Sequence, residues 1–501
     1  MSLSETEAVV YHDPELLEYT ARAPFSPSIA YPEYRFGDAG RDGANGPYGA
    51  VREFLHLAGF DSANYGRAQW NPWGVLIYPG DRVLIKPNLV LHENHGAGPI
   101  ESVITHASLI RAVVDYVLIA LQGSGSVVIG DAPLQSCQFD LLRRIAGLDE
   151  LMAYYASHAP VPVSLIDFRC EHAVVAPGRK MVVKVEKGAG DPCGYQAVDF
   201  GMRSMLAPVS DRSDRFRVTN YDPALMALHH NRERHEYLVS GSVLSADVVI
   251  SMPKIKTHRK AGITGALKNS VGINGHKDWL PHHTKGPAAS GGDEYANPSV
   301  LKSAHVAVAE TKDVVQSRVL KELLGATACI LHGAGRRLAR DPHFEGSWHG
   351  NDTIWRTVLD LNRALLYAGK DGILRDTPQR RTFFLLDGII AGEGEGPLEP
   401  DAKPLGLLIG AYAAPVADLA MARLMGFDFR RIPTVREAFR ICEFPLAGFA
   451  PEDVTVISNS DELGSVKVTQ TGFHFAFRPT LGWQGRIELA QAPIEAVPSP
   501  R

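Results

Sequence analysis

Arg82-Val83-Leu84-Ile85-Lys86-Pro87-Asn88, then His106 to Gln122, then Ser126-Val127-Val128-Ile129-Gly130-Asp131: these three stretches decide the fold class. The first is a β-rich run that stops at a Pro-Asn turn signal. The second places apolar residues at Leu109, Val113, Tyr116, Val117 and Ala120, the period of a helix with one buried face. The third is a second β-rich run, closing at Asp131-Ala132-Pro133. Strand, helix and strand in this order make a βαβ unit, which requires a parallel sheet.

Outward from this unit, Val161 to Ile166 reads as a third strand. The Gly-rich, β-rich stretch from about Glu171 to Arg217 reads as a hairpin insertion. Ala246 to Met252 is an apolar strand ending at Pro253. The polar, Gly-rich stretch Lys277 to Asn297 reads as a long loop of the kind that often binds or covers ligands. Beyond it, the pattern predicts a helix over His305 to Leu324, a strand over Thr327 to Leu331 and a helix over Trp355 to Tyr367. A strand over Thr382 to Leu386 is expected to end at Asp387-Gly388. Another strand follows over Leu405 to Ile409, and then an Ala-rich helix over Pro415 to Met425, closed by Gly426. Before Asp81, where regular structure is expected to begin, only a short helix over Gly49 to Leu57 interrupts an irregular stretch. Val454 to Ala490 reads as β-like, and the end, Pro498 to Arg501, as disordered. The expected architecture is α/β, a largely parallel sheet flanked by helices, with a β-rich insertion and a second α/β lobe. The expected division is an extension over 1–79, a first lobe over 80–300 with an insertion at about 171–240, a second lobe over 301–450 and a C-terminal extension over 451–501.

Composition narrows the function. At 501 residues and 45% hydrophobic, the chain can bury a large core. The net charge of -5 gives no global field for nucleic acid or acidic lipid, so any attraction for anions must be local. Cys137, Cys170, Cys193, Cys329 and Cys442 are scattered with no C-x-x-C pair, which argues against an iron–sulfur cluster or a thiolate-bound zinc. A few scattered thiols, no basic-then-apolar leader and no apolar run of about 20 residues point to a cytoplasmic chain without a membrane span. No basic stripe interleaved with aromatics suggests nucleic-acid binding.

The densest chemistry lies in Met252-Pro253-Lys254-Ile255-Lys256-Thr257-His258. In extended chain, side chains alternate, so Lys254, Lys256 and His258 share one side and form a local anion site. Twelve residues past Lys256 come Lys268 and Asn269. If that piece is helical, Thr264 and Lys268 share a face, and amides at the helix start offer a place for a phosphate or carboxylate. The alternative is a solvated basic loop. A second group is His276, His282 and His283 with Asp278 and Asp293. Imidazole and carboxylate suit zinc, iron or nickel, but the spacing matches no defined motif, and a solvated loop is the competing reading. His92 and His95 form a weaker pair of the same kind. A third is Asp387-Gly388 through Glu393-Gly394-Glu395-Gly396-Pro397, a glycine-rich turn in which Asp387, Glu393 and Glu395 can bind a metal, exchange protons or face the lysines. Asp131 and His106 sit at strand and helix ends, where capping is an alternative role. Asp418, on an apolar helix, either holds a loop or reaches the site. Asn351 and Asp352 read as caps of the helix that follows. Strand ends at Lys86-Pro87-Asn88, Gly130-Asp131, Pro253-Lys254 and Asp387-Gly388 would converge on one rim if they share a parallel sheet, since ligands bind at the carboxyl ends of such strands.

In order along the chain, Lys86-Pro87-Asn88, Thr105-His106, Val128 to Pro133, Pro253 to His258, Leu267 to Gly272, Asp387 to Pro397 and Pro415 to Asp428 resemble the family named domain of unknown function 362. Gly350 to Arg356 with Asp360-Leu361-Asn362 resembles a longer subgroup of it. The resemblance covers about Asp81 to Phe429. It implies Lys86, Asn88, His106, Asp131, Lys254, Lys256, His258, Lys268, Asn269 and Asp387 as the polar motif positions, and it assigns them no catalytic roles. Some relatives carry ferredoxin-type cysteine clusters. This sequence has none, so no iron–sulfur cofactor is expected.

Three functional readings follow. The first is an enzyme for a small phosphorylated or carboxylated substrate. Lys254, Lys256 and Lys268 would hold the anion, with Lys86, Asn88, His106, Asn269 and Asp387 lining the site. His258 and Lys256 would act catalytically, with Asp131 or Asp387 orienting His258 or binding a metal. The second is a divalent-metal enzyme using His258, His276 and His282 or His283 beside a carboxylate. The third is a non-catalytic binding or assembly protein. Substrate, reaction and oligomeric state are left open by the sequence.

Overall fold

A computed structural model describes residues 3–175, 182–218, 223–315, 317–339, 342–463, 466–470 and 472–489. Its centre is an 11-stranded sheet. The strands are β1 (Glu7–His12), β2 (Arg82–Pro87), β3 (Ser126–Asp131), β4 (Val163–Asp167), β5 (Val248–Met252), β6 (Lys254–His258), β7 (Gly262–Thr264), β8 (Arg381–Glu395), β9 (Glu399–Ala411), β10 (Thr455–Ser458) and β11 (Val466–Lys467). Their order is β11-β10-β1-β9-β8-β5-β2-β3-β4, with β6 branching off β8 and β7 pairing with β6. From β8 through β5, β2, β3 and β4 every neighbour is parallel. The β8–β9 and β9–β1 pairs are antiparallel. The sheet is α/β in character and takes strands from residues 82–258 and 381–411 alike.

Alternation along the strands explains why both faces are covered. Val83 and Ile85 of β2 point into one apolar core, and Leu84 points into another. The first core is roofed by α1 (Gly46–Leu57), which buries one face, and by α2 (Ala107–Leu121), whose residues are all buried. Further helices are α3 (Ala266–Asn269), α4 (Val300–Val314), α5 (Arg318–Leu338), α6 (Ile354–Tyr367) and α7 (Ala414–Met425); α3, α6 and α7 pack on the opposite side of the sheet, and α4 and α5 pack against each other. Leu361 and Leu365 of α6 pack with Leu84 and Val249. Val416 and Leu419 of α7 pack with Leu407 and Ile409 of β9. Parallel strands buried on both faces read as continuous apolar runs, as the inner strand β5 does, whereas the edge strand β4 is half-buried throughout.

Several local expectations need correction. Regular structure begins at β1, not at Asp81, because β1 lies inside the sheet between β9 and β10. β8 does not end at Asp387-Gly388. It runs to Glu395 and pairs with β9, so the glycine-rich stretch is a hairpin arm rather than a turn. Thr327 to Leu331 is helical within α5, and the helix expected over His305 to Leu324 is split between α4 and α5, with Ser317 capping the second. β-branched residues there follow the helix they are embedded in, since strand preference is mostly a packing effect. Among the described residues of Val454 to Ala490, β10 and β11 are the strands. Within the β-rich insertion, Glu171–Val175 pairs with Val182–Lys187, and Tyr195–Asp199 pairs with Glu236–Ser240. The long loop after Lys277 is pinned. His283–Thr284 pairs with Phe216–Arg217, and Asp293 takes hydrogen bonds from the Thr284 and Asp352 amides and the Thr353 hydroxyl. Residues 176–181 of the insertion and Pro498 to Arg501 lie outside the described residues.

Candidate functional site

Register brings the polar turns together. Ser251 on β5 pairs with Lys86 on β2, and Lys254 on β6 pairs with Asp387 on β8. On β6, Ile255 enters an apolar core and the Thr257 hydroxyl donates to the Gly394 carbonyl. Lys254, Lys256 and His258 therefore alternate to the other side, and all three are buried.

Two ion pairs form the floor. Lys86 Nζ donates to Asp131 Oδ1 at 2.8 Å and to Asn269 Oδ1 at 3.2 Å. The Leu89 amide takes the other Asp131 oxygen at 2.7 Å. Asn269 completes the group by donating to the Lys86 carbonyl and the Ser251 hydroxyl. Gly272 is required here, because a Cβ would stand 1.9 Å from Asp131 Oδ1 and 2.7 Å from Lys86 Nζ. In the second pair, Lys254 Nζ donates to Asp387 Oδ2 (2.6 Å), the Tyr19 hydroxyl (2.8 Å) and the Ile390 carbonyl (3.3 Å), so its three N–H groups are all engaged. Asp387 also accepts from the Tyr19 hydroxyl and the His106 amide. The His106 ring stacks on Tyr19 at 4.2 Å and caps α2 through Nδ1, which accepts from the Ser108 amide. Burial and the nearby Lys254 push His106 down to about 3, so this ring is neutral. Asn88 Oδ1 is buried with no hydrogen-bond partner.

Above this floor the positive charge is uncompensated. Lys256 Nζ donates to the Val103 carbonyl, and Lys277 Nζ to the Ala132 carbonyl. Lys268 meets neither a carboxylate nor a hydrogen-bond acceptor among the described residues. Burial first, then Lys277, Lys260 and Lys86, lower Lys268 to about 7. Burial, then Lys254 and Lys268, hold Lys256 well below the usual lysine range. Burial lowers Lys277 to about 8. The imidazoles of His258 and His282 are held well below 6.5 by burial and then by Lys268. Their hydrogen bonds set opposite tautomers. His258 Nδ1 accepts from the Lys260 and Ala261 amides, so its proton sits on Nε2. His282 Nδ1 donates to the Leu280 carbonyl, so its lone pair sits on Nε2.

Three expectations about this region are overturned. Thr264 lies in β7 and does not share a helix face with Lys268. The first amides of α3 are already taken, because Asp418 on α7 accepts from Ala266 and Leu267 at 2.6 and 3.0 Å. Asp418 thus holds the helix start instead of a ligand. Neither Asp131 nor Asp387 is hydrogen-bonded to His258. Asn351 accepts from the Thr353 and Ile354 amides at the start of α6, whereas Asp352 takes the Trp355 indole N–H and the Arg356 guanidinium instead of capping the helix. Tyr19, Lys260 and Lys277 escaped the sequence reading. Tyr19 comes from the irregular N-terminal stretch, and no local pattern flags it. His276 is set apart from His282 and His283, grouped with Glu171 and Asp278. An open concavity of about 660 Å³ lies elsewhere, lined by residues such as Phe429, Arg436, Phe439 and Phe449.

The molecule is thus an α/β protein whose parallel strands end on a rim of buried lysines. The chain belongs to the family described as Domain of unknown function (DUF362), whose model matches residues 83–191 and 197–423. The two segments take in every lysine and histidine of the rim. No curated protein matches the sequence. A crystal structure of a Thermotoga maritima protein from the Northeast Structural Genomics Consortium is similar at 11% identity with a TM-score of 0.29, covering 71% of this chain and 54% of that one. This chain therefore spans about half of that protein's length. No helix among the described residues is long and apolar enough to cross a membrane.

Proposed function

We propose that this chain is an enzyme for a small phosphorylated or carboxylated substrate, bound between Lys256, Lys268 and Lys277 and the rings of His258 and His282. The observation that carries the reading is the unpartnered Lys268 ammonium beside two more lysines that meet only carbonyl oxygens. Lys256 and Lys277 are buried and Lys268 is half-buried; cations so placed without counter-charges are costly, and a bound anion would relieve that cost. Lys86 and Lys254, engaged by Asp131 and Asp387, support the floor rather than touch the ligand. His258 donates Nε2–H to the anion. His282 offers its Nε2 lone pair as the proton acceptor, and its basicity rises once an anion neutralises the lysines around it.

The test is a ligand-induced melting shift with inorganic phosphate, phosphorylated metabolites and di- or tricarboxylates. Binding of at least one class is expected. Lys268→Ala should weaken it about tenfold to a hundredfold, the cost of removing one charge-assisted hydrogen bond of about 1.5–3 kcal/mol. The sign with pH is fixed. The anion needs Lys268 protonated, so affinity should fall as pH rises through about 7, and Lys277 should extend the fall towards about 8. No shift with any anion, or full binding by both Lys268→Ala and Lys268→Met, sinks the reading.

A further inference from the structure

We infer that Glu171, His276 and Asp278 form a binding site for a divalent transition ion such as zinc or manganese, separate from the lysine rim. One ligand atom from each of the three residues lies within 4.8 Å of the other two. His276 Nδ1 faces Asp278 Oδ2 at 3.5 Å, yet this nitrogen is buried and makes no hydrogen bond. That separation is long for a hydrogen bond. It is close to the roughly 3.3 Å expected between two ligands of one tetrahedral ion with bonds of about 2.0–2.1 Å. Glu171 Oε1 stands 3.8 Å from the other ring nitrogen, Nε2, and accepts a hydrogen bond from the Gln135 amide at 2.8 Å. One ion binds one ring nitrogen, so in the bound state the Glu171 carboxylate leaves Gln135 and swings to the Nδ1 side beside Asp278, across a cluster whose ligand atoms lie within 4.8 Å of one another; solvent supplies the remaining ligand.

The backbone that carries these residues is fastened on both sides. The Cys170 amide donates to the Gly275 carbonyl at 3.0 Å, which sets Glu171 beside His276. Buried Asn274 donates to the His276 carbonyl and accepts from the Leu238 amide, which holds the 274–278 turn in place. Lys277 donates to the Ala132 carbonyl, and Arg169 to Asp167 and three carbonyls. Two carboxylates and one neutral imidazole equal a dication in charge. With no thiolate in the set, the donors suit zinc, manganese or iron(II) better than copper(I), and the imidazole disfavours calcium and magnesium.

The experiment uses the full-length, tag-free protein, stripped with EDTA and dialysed against Zn²⁺ or Mn²⁺, with bound metal counted by mass spectrometry. One equivalent of at least one of the two ions is expected, and it should be retained in His282→Ala. Glu171→Gln should weaken it at least about tenfold, and His276→Ala should abolish it while the metal-free melting temperature stays the same. No saturable binding of either ion, or wild-type affinity in His276→Ala, overturns the inference. Should His276→Ala fail to fold, unchanged affinity in the half-buried Glu171→Gln overturns it equally. The lysine rim takes no part, so failure here leaves the anion reading standing, and the reverse also holds.

Discussion

Lys254 is fully buried and Lys268 half-buried, and they differ in what faces them. Lys254 is enclosed by Asp387, Tyr19 and a carbonyl, whereas Lys268 faces other cations. The two should respond oppositely to substitution. Asp387→Ala strands a fully buried charge and should cost about 3–5 kcal/mol, read as a lower urea midpoint. The Lys254→Met, Asp387→Leu double variant should recover most of that loss, because an apolar pair of similar volume replaces a buried ion pair at little cost. A fully stable Asp387→Ala protein would show that Lys254 is not held as described. Residue identity announced the lysines of β6, since charged side chains following an apolar strand stand out. Nothing local distinguished the paired lysine from the unpaired one, because Asp387 lies 133 residues away.

At the scale of elements, the four-residue helix α3 exists because α7 caps it. A Cβ at Gly265 would stand 2.1 Å from Asp418 Oδ1, so only glycine lets the carboxylate reach the first two amides. Burial pushes Asp418 up from 3.8 to about 7 despite those two hydrogen bonds. Between pH 4 and 7 the folded chain then holds a proton that the unfolded chain has released, so stability falls as pH rises across this window. The drop is on the order of 4 kcal/mol for a shift of this size. Urea midpoints measured at several pH values should show it in the wild type and not in Asp418→Asn. An equal pH slope in both proteins would contradict this. The strand pattern at Thr382 to Leu386 was legible, but the extent of β8 was not. Its glycines looked like a turn until β9 supplied an antiparallel partner.

At the scale of the whole molecule, the N-terminal segment joins the sheet together. Val9 of β1 pairs with Gly410 on one side and with Ile457 on the other, and Tyr19 continues into the rim at Asp387. Removing residues 1–13 leaves β9 and β10 with bare edges, which are templates for association. The truncated chain should run as aggregate on size-exclusion chromatography, and a monodisperse, cooperatively melting product would refute this role for β1. No stretch of the first 79 residues forecasts it. A six-residue strand between two distant partners leaves only a weak alternation signal.

The sequence by itself determined the α/β class, the parallel βαβ start and the concentration of lysine and histidine after Met252. These follow from residue period and local chemistry, which act over a few neighbours along the chain. Only the tertiary structure decided which lysines are neutralised, that Asp418 and not a ligand occupies the start of α3, that β1 lies within the sheet and that His276 parts company with His282 and His283. Each of these rests on contacts between residues far apart in sequence, where register and packing, rather than local preference, choose the partner.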